Sequence, residues 1–115
     1  MASQEIIRSQ TNTIRRQIIK DTGSFPGTCE YSKQLARELG GWVYILETPS
    51  EHGLDHKIAV SRIQDTHEGL VIDVTRNKNP YVGNVTDVFN FKQTAQEIGE
   101  IYGLPGWRMM LNFYG

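Results

Sequence analysis

The sequence predicts an α+β domain in which helices pack on a small antiparallel sheet. Three segments rich in aromatic and β-branched residues follow one another between residues 42 and 75, with only polar connections between them. Segments whose apolar residues recur at helical spacing precede and follow them. Because consecutive strands joined by turns pair antiparallel, the predicted order is α-α-β-β-β-α-β. The length of 115 residues suits one domain over residues 1–115.

Two helices are predicted in the N-terminal third of the chain. The first covers residues 4–20, where isoleucines form one stripe and basic residues lie mostly opposite them. The second begins at Thr28 or Cys29, where the Thr28 hydroxyl can cap an unpaired backbone N–H, and ends at Gly40-Gly41. Both helices therefore need a partner against their apolar side.

Three strands are predicted at residues 42–46, 56–63 and 70–75. A polar turn at residues 65–69 joins the second and third strands into an antiparallel hairpin. These three strands are expected to form the centre of the sheet, with the helices packed against it.

The C-terminal part begins with residues 76–90, whose turn-forming residues predict irregular structure. Asn90 is then expected to cap a third helix, with Gln93 placed to complete a capping box. Gly103 is predicted as the left-handed residue that ends this helix. The short apolar segment from Trp107 to Tyr114 is predicted as a closing edge strand.

Composition and charge exclude several classes of function. Lys and Arg total 12 against 13 Asp and Glu, and this balance argues against a nucleic-acid binder with a basic face. The longest apolar runs have four or five residues, far fewer than the roughly 20 that span a bilayer. One cysteine excludes an internal disulfide framework, and the N-terminus lacks a secretory pattern, so the expected location is cytoplasmic.

Cys29 stands at the predicted N-terminus of the second helix. The first turn of a helix presents unpaired N–H groups and about half a positive charge, and both favour a thiolate over a thiol. The alternative is that Cys29 is a small, inert core residue, as many lone intracellular cysteines are.

His56 and Asp73 lie on the two strands of the predicted hairpin. Asp73 interrupts an apolar run, and a buried carboxylate needs a cation or a hydrogen-bond donor. One parity of the strand register places both side chains on the same face, and the other parity points them apart. The alternatives are that Asp73 caps Thr75 or the turn at Arg76 and that His56 is a partly exposed strand residue.

These three residue types suit nucleophilic acyl transfer. A thiolate at position 29 can attack an acyl carbon, and an imidazole at position 56 can move the proton. A carboxylate at position 73 can fix the tautomer and orientation of that imidazole. The substrate expected for this chemistry is a protein or peptide amide, and no cofactor is required.

The three segments also resemble a known superfamily. Residues 27–29 (Gly-Thr-Cys) at a helix start, the strand His56–Val60, and Val71-Ile72-Asp73 in the next strand resemble papain-like and transglutaminase-like cysteine enzymes. The pattern is most similar to compact bacterial papain-fold toxin domains with deamidase or peptidase activity. The resemblance covers residues 25–76 and implies a papain-like core with a Cys29–His56–Asp73 triad.

The chain departs from papain-like peptidases at the oxyanion hole. Those enzymes usually place a glutamine a few residues before the cysteine, and residues 22–28 contain none. The hole would have to use the Cys29 backbone N–H with another donor. This departure bears on catalytic competence more than on the fold.

Other interpretations follow from the remaining residues. His52, Asp55 and His56 have a metal-like spacing, but structural and catalytic zinc sites usually take three or four well-placed ligands, so no metal is predicted. A non-catalytic protein-binding or inhibitor module on an α+β scaffold is the alternative function, favoured by the missing glutamine and the aromatic C-terminal part. That closing strand could also pair with a second copy to form a homodimer.

Overall fold

The computed structural model describes residues 4–22, 30–47, 56–76, 79–103 and 108–113. Within these residues lie three helices, α1 (Gln4–Thr22), α2 (Glu30–Leu39) and α3 (Phe91–Ile101). They also contain five strands, β1 (Trp42–Glu47), β2 (His56–Arg62), β3 (Gly69–Ile72), β4 (Tyr81–Val85) and β5 (Arg108–Phe113). The protein is therefore an α+β protein, as the sequence predicts.

The strands form one antiparallel sheet in the order β4-β3-β2-β1-β5. The hairpin of β2 and β3 lies at the centre, with Ala59 opposite Ile72. β5 pairs with β1 and forms one edge of the sheet, which confirms the closing edge strand. Pairing of that edge with a second copy of the chain stays a prediction.

The prediction of irregular structure over residues 76–90 is wrong in its middle, where β4 pairs with β3. Gly83 and Asn84 have low strand propensity, so the sequence signal there is weak. The pairing with β3 outweighs that local preference, and an irregularity between Val71 and Ile72 accommodates it.

The third strand is shorter than the predicted segment 70–75, because β3 ends at Ile72. The Asp73 carboxylate accepts hydrogen bonds from the backbone N–H and the hydroxyl of Thr75, at 3.1 and 2.6 Å. A side chain that bonds the backbone two residues later stabilises a turn rather than a strand. Asp73 therefore stands just beyond the strand.

The sheet separates two apolar clusters. One lies between the sheet and the helices α1 and α2, and contains Ile7, Leu35, Ala59 and Ile72. The other joins α3 to the opposite face and contains, among others, Ile58, Val60, Val71 and Ile98. Side chains alternate between the two clusters along β2, as the period of a strand requires.

The ends of α3 confirm two predictions and correct a third. The Asn90 side chain caps the helix by accepting from the Gln93 backbone N–H at 3.1 Å. Gly103 follows the helix with a φ of +66°, as a left-handed terminal residue should. The predicted capping box is wrong in its second half, because the Asn90 backbone N–H donates to the Asp87 carbonyl. The Gln93 side-chain oxygen accepts instead from the Asn90 side-chain amide at 3.3 Å.

Several predictions fall on residues that the structure does not describe. The cap at Thr28 and the start of the second helix before Glu30 are among them. Among the described residues, no helix has the length and apolar character needed to cross a membrane.

Candidate functional site

The side chains of His56 and Asp73 meet at one end of the sheet. The His56 Nε2 atom lies 2.6 Å from Asp73 Oδ2. His56 is the first residue of β2 and Asp73 follows the last residue of β3, and the register that sets Ala59 against Ile72 brings them to the same face. Of the two register parities open to the sequence, the structure has the one that allows contact.

The Asp73 carboxylate is buried, with 4% of its side chain exposed, and both of its oxygens accept hydrogen bonds. Oδ2 receives the Tyr102 hydroxyl at 2.8 Å as well as the imidazole of His56. Oδ1 receives both donors of Thr75. These bonds compensate the cost of burying the charge.

The same contacts set the protonation state of Asp73. Burial raises the pKa of its carboxyl. The hydrogen bonds from His56, Thr75 and Tyr102 and the charge of a protonated His56 together lower this pKa by more than burial raises it. The net pKa of Asp73 is below its usual range. The side chain is therefore a carboxylate at neutral pH.

A carboxylate only accepts hydrogen bonds, so the contact with Asp73 places a proton on His56 Nε2. In the neutral imidazole, Nδ1 then carries the lone pair that can take a proton. The Tyr102 ring packs edge-on against the imidazole, with ring centres 5.8 Å apart. The imidazole is thus held by a hydrogen bond at one nitrogen and by an aromatic ring.

The first turn of α2 lies at the same end of the sheet. The buried Ser32 hydroxyl donates to the Lys57 carbonyl at 2.9 Å, next to His56 in β2. α2 joins β1 through Gly40 and Gly41, so the helix runs back along the sheet and begins near the start of β2. A Cβ on Gly41 would lie 2.3 Å from the Val60 carbonyl oxygen, which explains why this close connection uses glycine.

The imidazole and α2 nevertheless lie on different sides of the sheet. His56 alternates with Lys57 and shares its face with Ile58, which packs in the α3 cluster, whereas Ala59 packs in the α2 cluster. A group that precedes α2 therefore meets the imidazole only by passing round the end of the sheet.

The structure brings together two of the three predicted site residues. Cys29, which directly precedes α2, lies outside the described residues, and so do His52 and Asp55 of the metal-like spacing. Within the described part of the chain, no three metal-ligating side chains cluster.

Tyr102 is a site residue to which the sequence analysis assigns no role. No local signal connects position 102 with position 73, because the contact depends on how α3 packs on the sheet. The bond to Thr75 was among the sequence alternatives for Asp73, and the structure shows that this carboxylate holds Thr75 and His56 together.

Comparisons with known proteins complete this description. Neither family models, nor curated proteins, nor solved structures give a match to this chain.

Proposed function

We propose that this protein is a thiol-dependent acyl-transfer enzyme with a papain-like core that acts on an amide. In this proposal Cys29 is the nucleophile, His56 is the general base and acid, and Asp73 orients the imidazole. The observation that carries the proposal is the 2.6 Å contact between His56 and a buried carboxylate whose remaining lone pairs are occupied. A nucleophilic triad consists of a nucleophile, a base and a group that orients the base, and the pair of His56 and Asp73 suits the last two of these roles.

The first chemical step forms a thioester. The Cys29 thiol gives its proton to His56, and the thiolate attacks the amide carbon to form a C–S bond. The C–N bond then breaks as the imidazolium returns the proton to the leaving nitrogen, which departs as an amine or as ammonia. No redox partner or metal takes part.

The second step regenerates the thiol. His56 takes a proton from water or from an acceptor amine, whose oxygen or nitrogen attacks the thioester carbon. The C–S bond breaks and the thiolate takes the proton back from the imidazolium. Water gives peptide cleavage or glutamine deamidation according to the leaving group, whereas an amine gives transamidation.

The position of α2 supports the role of Cys29. Ser32 lies three residues after Cys29 in the sequence, and its hydroxyl donates to the carbonyl of Lys57, the residue next to His56. The helix that Cys29 precedes and the strand that His56 begins are thus tied together at one end of the sheet. The proposal requires the chain before Glu30 to carry the sulfur round that end.

Alkylation of Cys29 by iodoacetamide at pH 6 tests the proposal. A thiol with an ordinary pKa of about 8.5 is almost fully protonated there and reacts slowly. We expect the wild-type rate to exceed that of His56→Gln by about tenfold, since a thiolate kept by an imidazolium remains reactive. His67→Gln, which changes an exposed turn histidine, is the matched control and should react like the wild type.

If Cys29 of the wild type is alkylated no faster than Cys29 of His56→Gln and no faster than a simple thiol, the proposed enzymatic function is wrong. The alternative of a binding module on the same scaffold then remains.

A further inference from the structure

We propose that Tyr102 is a positioning residue, which holds the Asp73 carboxylate and weakens its hold on the imidazolium form of His56. This inference rests on the proposed function, since it assigns Tyr102 a part in preparing His56 for proton transfer.

The hydrogen bonds at Asp73 carry the argument. The Tyr102 hydroxyl and His56 Nε2 both approach Oδ2, at 2.8 and 2.6 Å. Thr75 engages the other oxygen with two donors, so it fixes the plane of the carboxylate. Tyr102 is thus the second donor on the oxygen that orients the imidazole.

Two donors on one oxygen share its negative charge. The phenol therefore makes Oδ2 a weaker partner for the imidazolium than it would be alone. A base that holds its proton less firmly returns it more readily to the leaving nitrogen. Two titratable groups face the imidazole from the neighbouring elements, Asp73 beyond β3 and Tyr102 beyond α3.

Tyr102 is well placed to fix this geometry. It is the C-terminal cap of α3, and its backbone N–H donates to the carbonyl of Ile98, a residue with no exposed surface. The Gly103 turn follows at once, with a φ of +66°. The phenol therefore approaches Asp73 from a fixed helix end, and its ring limits rotation of the imidazole.

The test compares Tyr102→Phe with the wild type by NMR titration of the His56 ring. The chain has three histidines, so His56→Gln assigns the His56 signal. We expect the titration midpoint of His56 to rise by about half a pH unit in Tyr102→Phe, because the ring remains while the competing donor is lost. Tyr81→Phe, a change at another partly buried tyrosine, is the control and should leave the midpoint unchanged.

A second variant should shift the His56 midpoint in the opposite direction while keeping the hydroxyl at position 102. Replacing Tyr102 by 3-fluorotyrosine gives a more acidic phenol and a stronger donor, so the midpoint of His56 should fall. A residue with only a packing role would not give opposite shifts in the two variants. This variant also keeps the test valid should Tyr102→Phe not fold.

The outcomes separate this inference from the proposed function. Midpoints that stay at the wild-type value in both Tyr102 variants overturn the role of Tyr102, even where iodoacetamide alkylates wild-type Cys29 rapidly at pH 6. Slow alkylation of wild-type Cys29 contradicts the proposed enzymatic function instead. The His56 titration still reports the effect of Tyr102 on the pair, because it does not depend on the reactivity of the sulfur.

Discussion

The hydroxyl of Ser32 donates to the carbonyl of Lys57 at 2.9 Å and ties the first turn of α2 to the start of β2. This bond joins the helix that follows Cys29 to the strand that carries His56. It predicts that stability and reactivity depend together on position 32.

Ser32→Ala should lower the free energy of unfolding by about 1–2 kcal/mol, because the buried serine loses its bond to the Lys57 carbonyl. We also expect slower alkylation of Cys29 at pH 6, since the helix start is less firmly placed. Urea denaturation and the iodoacetamide rate measure the two effects. Thr13→Ala removes a similar but exposed bond to Ser9 and should change neither quantity appreciably. Equal effects of the two variants would contradict the role given to Ser32.

Asp73→Asn should lower the free energy of unfolding by about 2–3 kcal/mol, which denaturation by urea can measure. The amide has one acceptor oxygen, whereas the carboxylate accepts from His56, Tyr102 and Thr75 in a buried place. The alkylation rate of Cys29 at pH 6 should fall toward that of His56→Gln, because the imidazole loses its orienting charge. A variant as stable and as reactive as the wild type would exclude this carboxylate from both roles.

The lowered pKa of Asp73 predicts a dependence of stability on acid. Because the folded pKa lies below that of the unfolded chain, about 3.9, the native state gains stability from this group above that value. The contribution is lost as the pH falls through the folded pKa, where the carboxyl takes up a proton. We expect wild-type stability to fall more steeply below pH 4 than that of Asp73→Asn, as measured by urea denaturation at each pH.

Glu97 requires a control in that experiment, because its pKa is also lowered. Burial raises the pKa of Glu97, and hydrogen bonds from Thr86 and Gln93 lower it more. In Glu97→Gln, the free energy of unfolding should still fall steeply below pH 4, because Asp73 is unchanged in that variant. Parallel curves for wild type and Asp73→Asn would show that Asp73 does not contribute.

Gly41→Ala should destabilise the protein by more than about 2 kcal/mol, because the added Cβ meets the Val60 carbonyl oxygen at 2.3 Å. A Cβ at position 103 meets no atom within 4 Å, but an alanine there must adopt a φ of +66°. Gly103→Ala should therefore lower the free energy of unfolding by only about 1 kcal/mol. Thermal or urea unfolding of the two variants checks the order. The reverse order would contradict the close connection between α2 and β1.

The sequence predicted the fold where local patterns are strong. The helix α1, the strand β2 and the cap at Asn90 appear at the expected places. The isoleucine stripe of α1 is narrower than predicted, because Ile7 and Ile14 are buried whereas Ile6 and Ile19 are exposed. β4 was not predicted, because Gly83 and Asn84 pair with β3 against their own propensity. Long-range pairing is not visible in a short window of sequence.

The candidate site, too, could be predicted where the signal is local in sequence and not where it depends on tertiary packing. An aspartate inside an apolar run indicated a buried partner, and the structure identifies that partner as His56. The contact from Tyr102 could not be predicted, because it depends on the packing of α3 beside the end of β3. The role of Cys29 stays a prediction, since its residue lies outside the described part of the chain.

The central claim is that the sulfur at position 29 lies beside the imidazole of His56, and a titration of the His56 ring in Cys29→Ala tests it most directly. A nearby thiolate favours the protonated imidazole, so removing it should lower the His56 midpoint by more than about one pH unit. The same midpoint in wild type and Cys29→Ala would show that the two side chains do not meet, and would contradict the account.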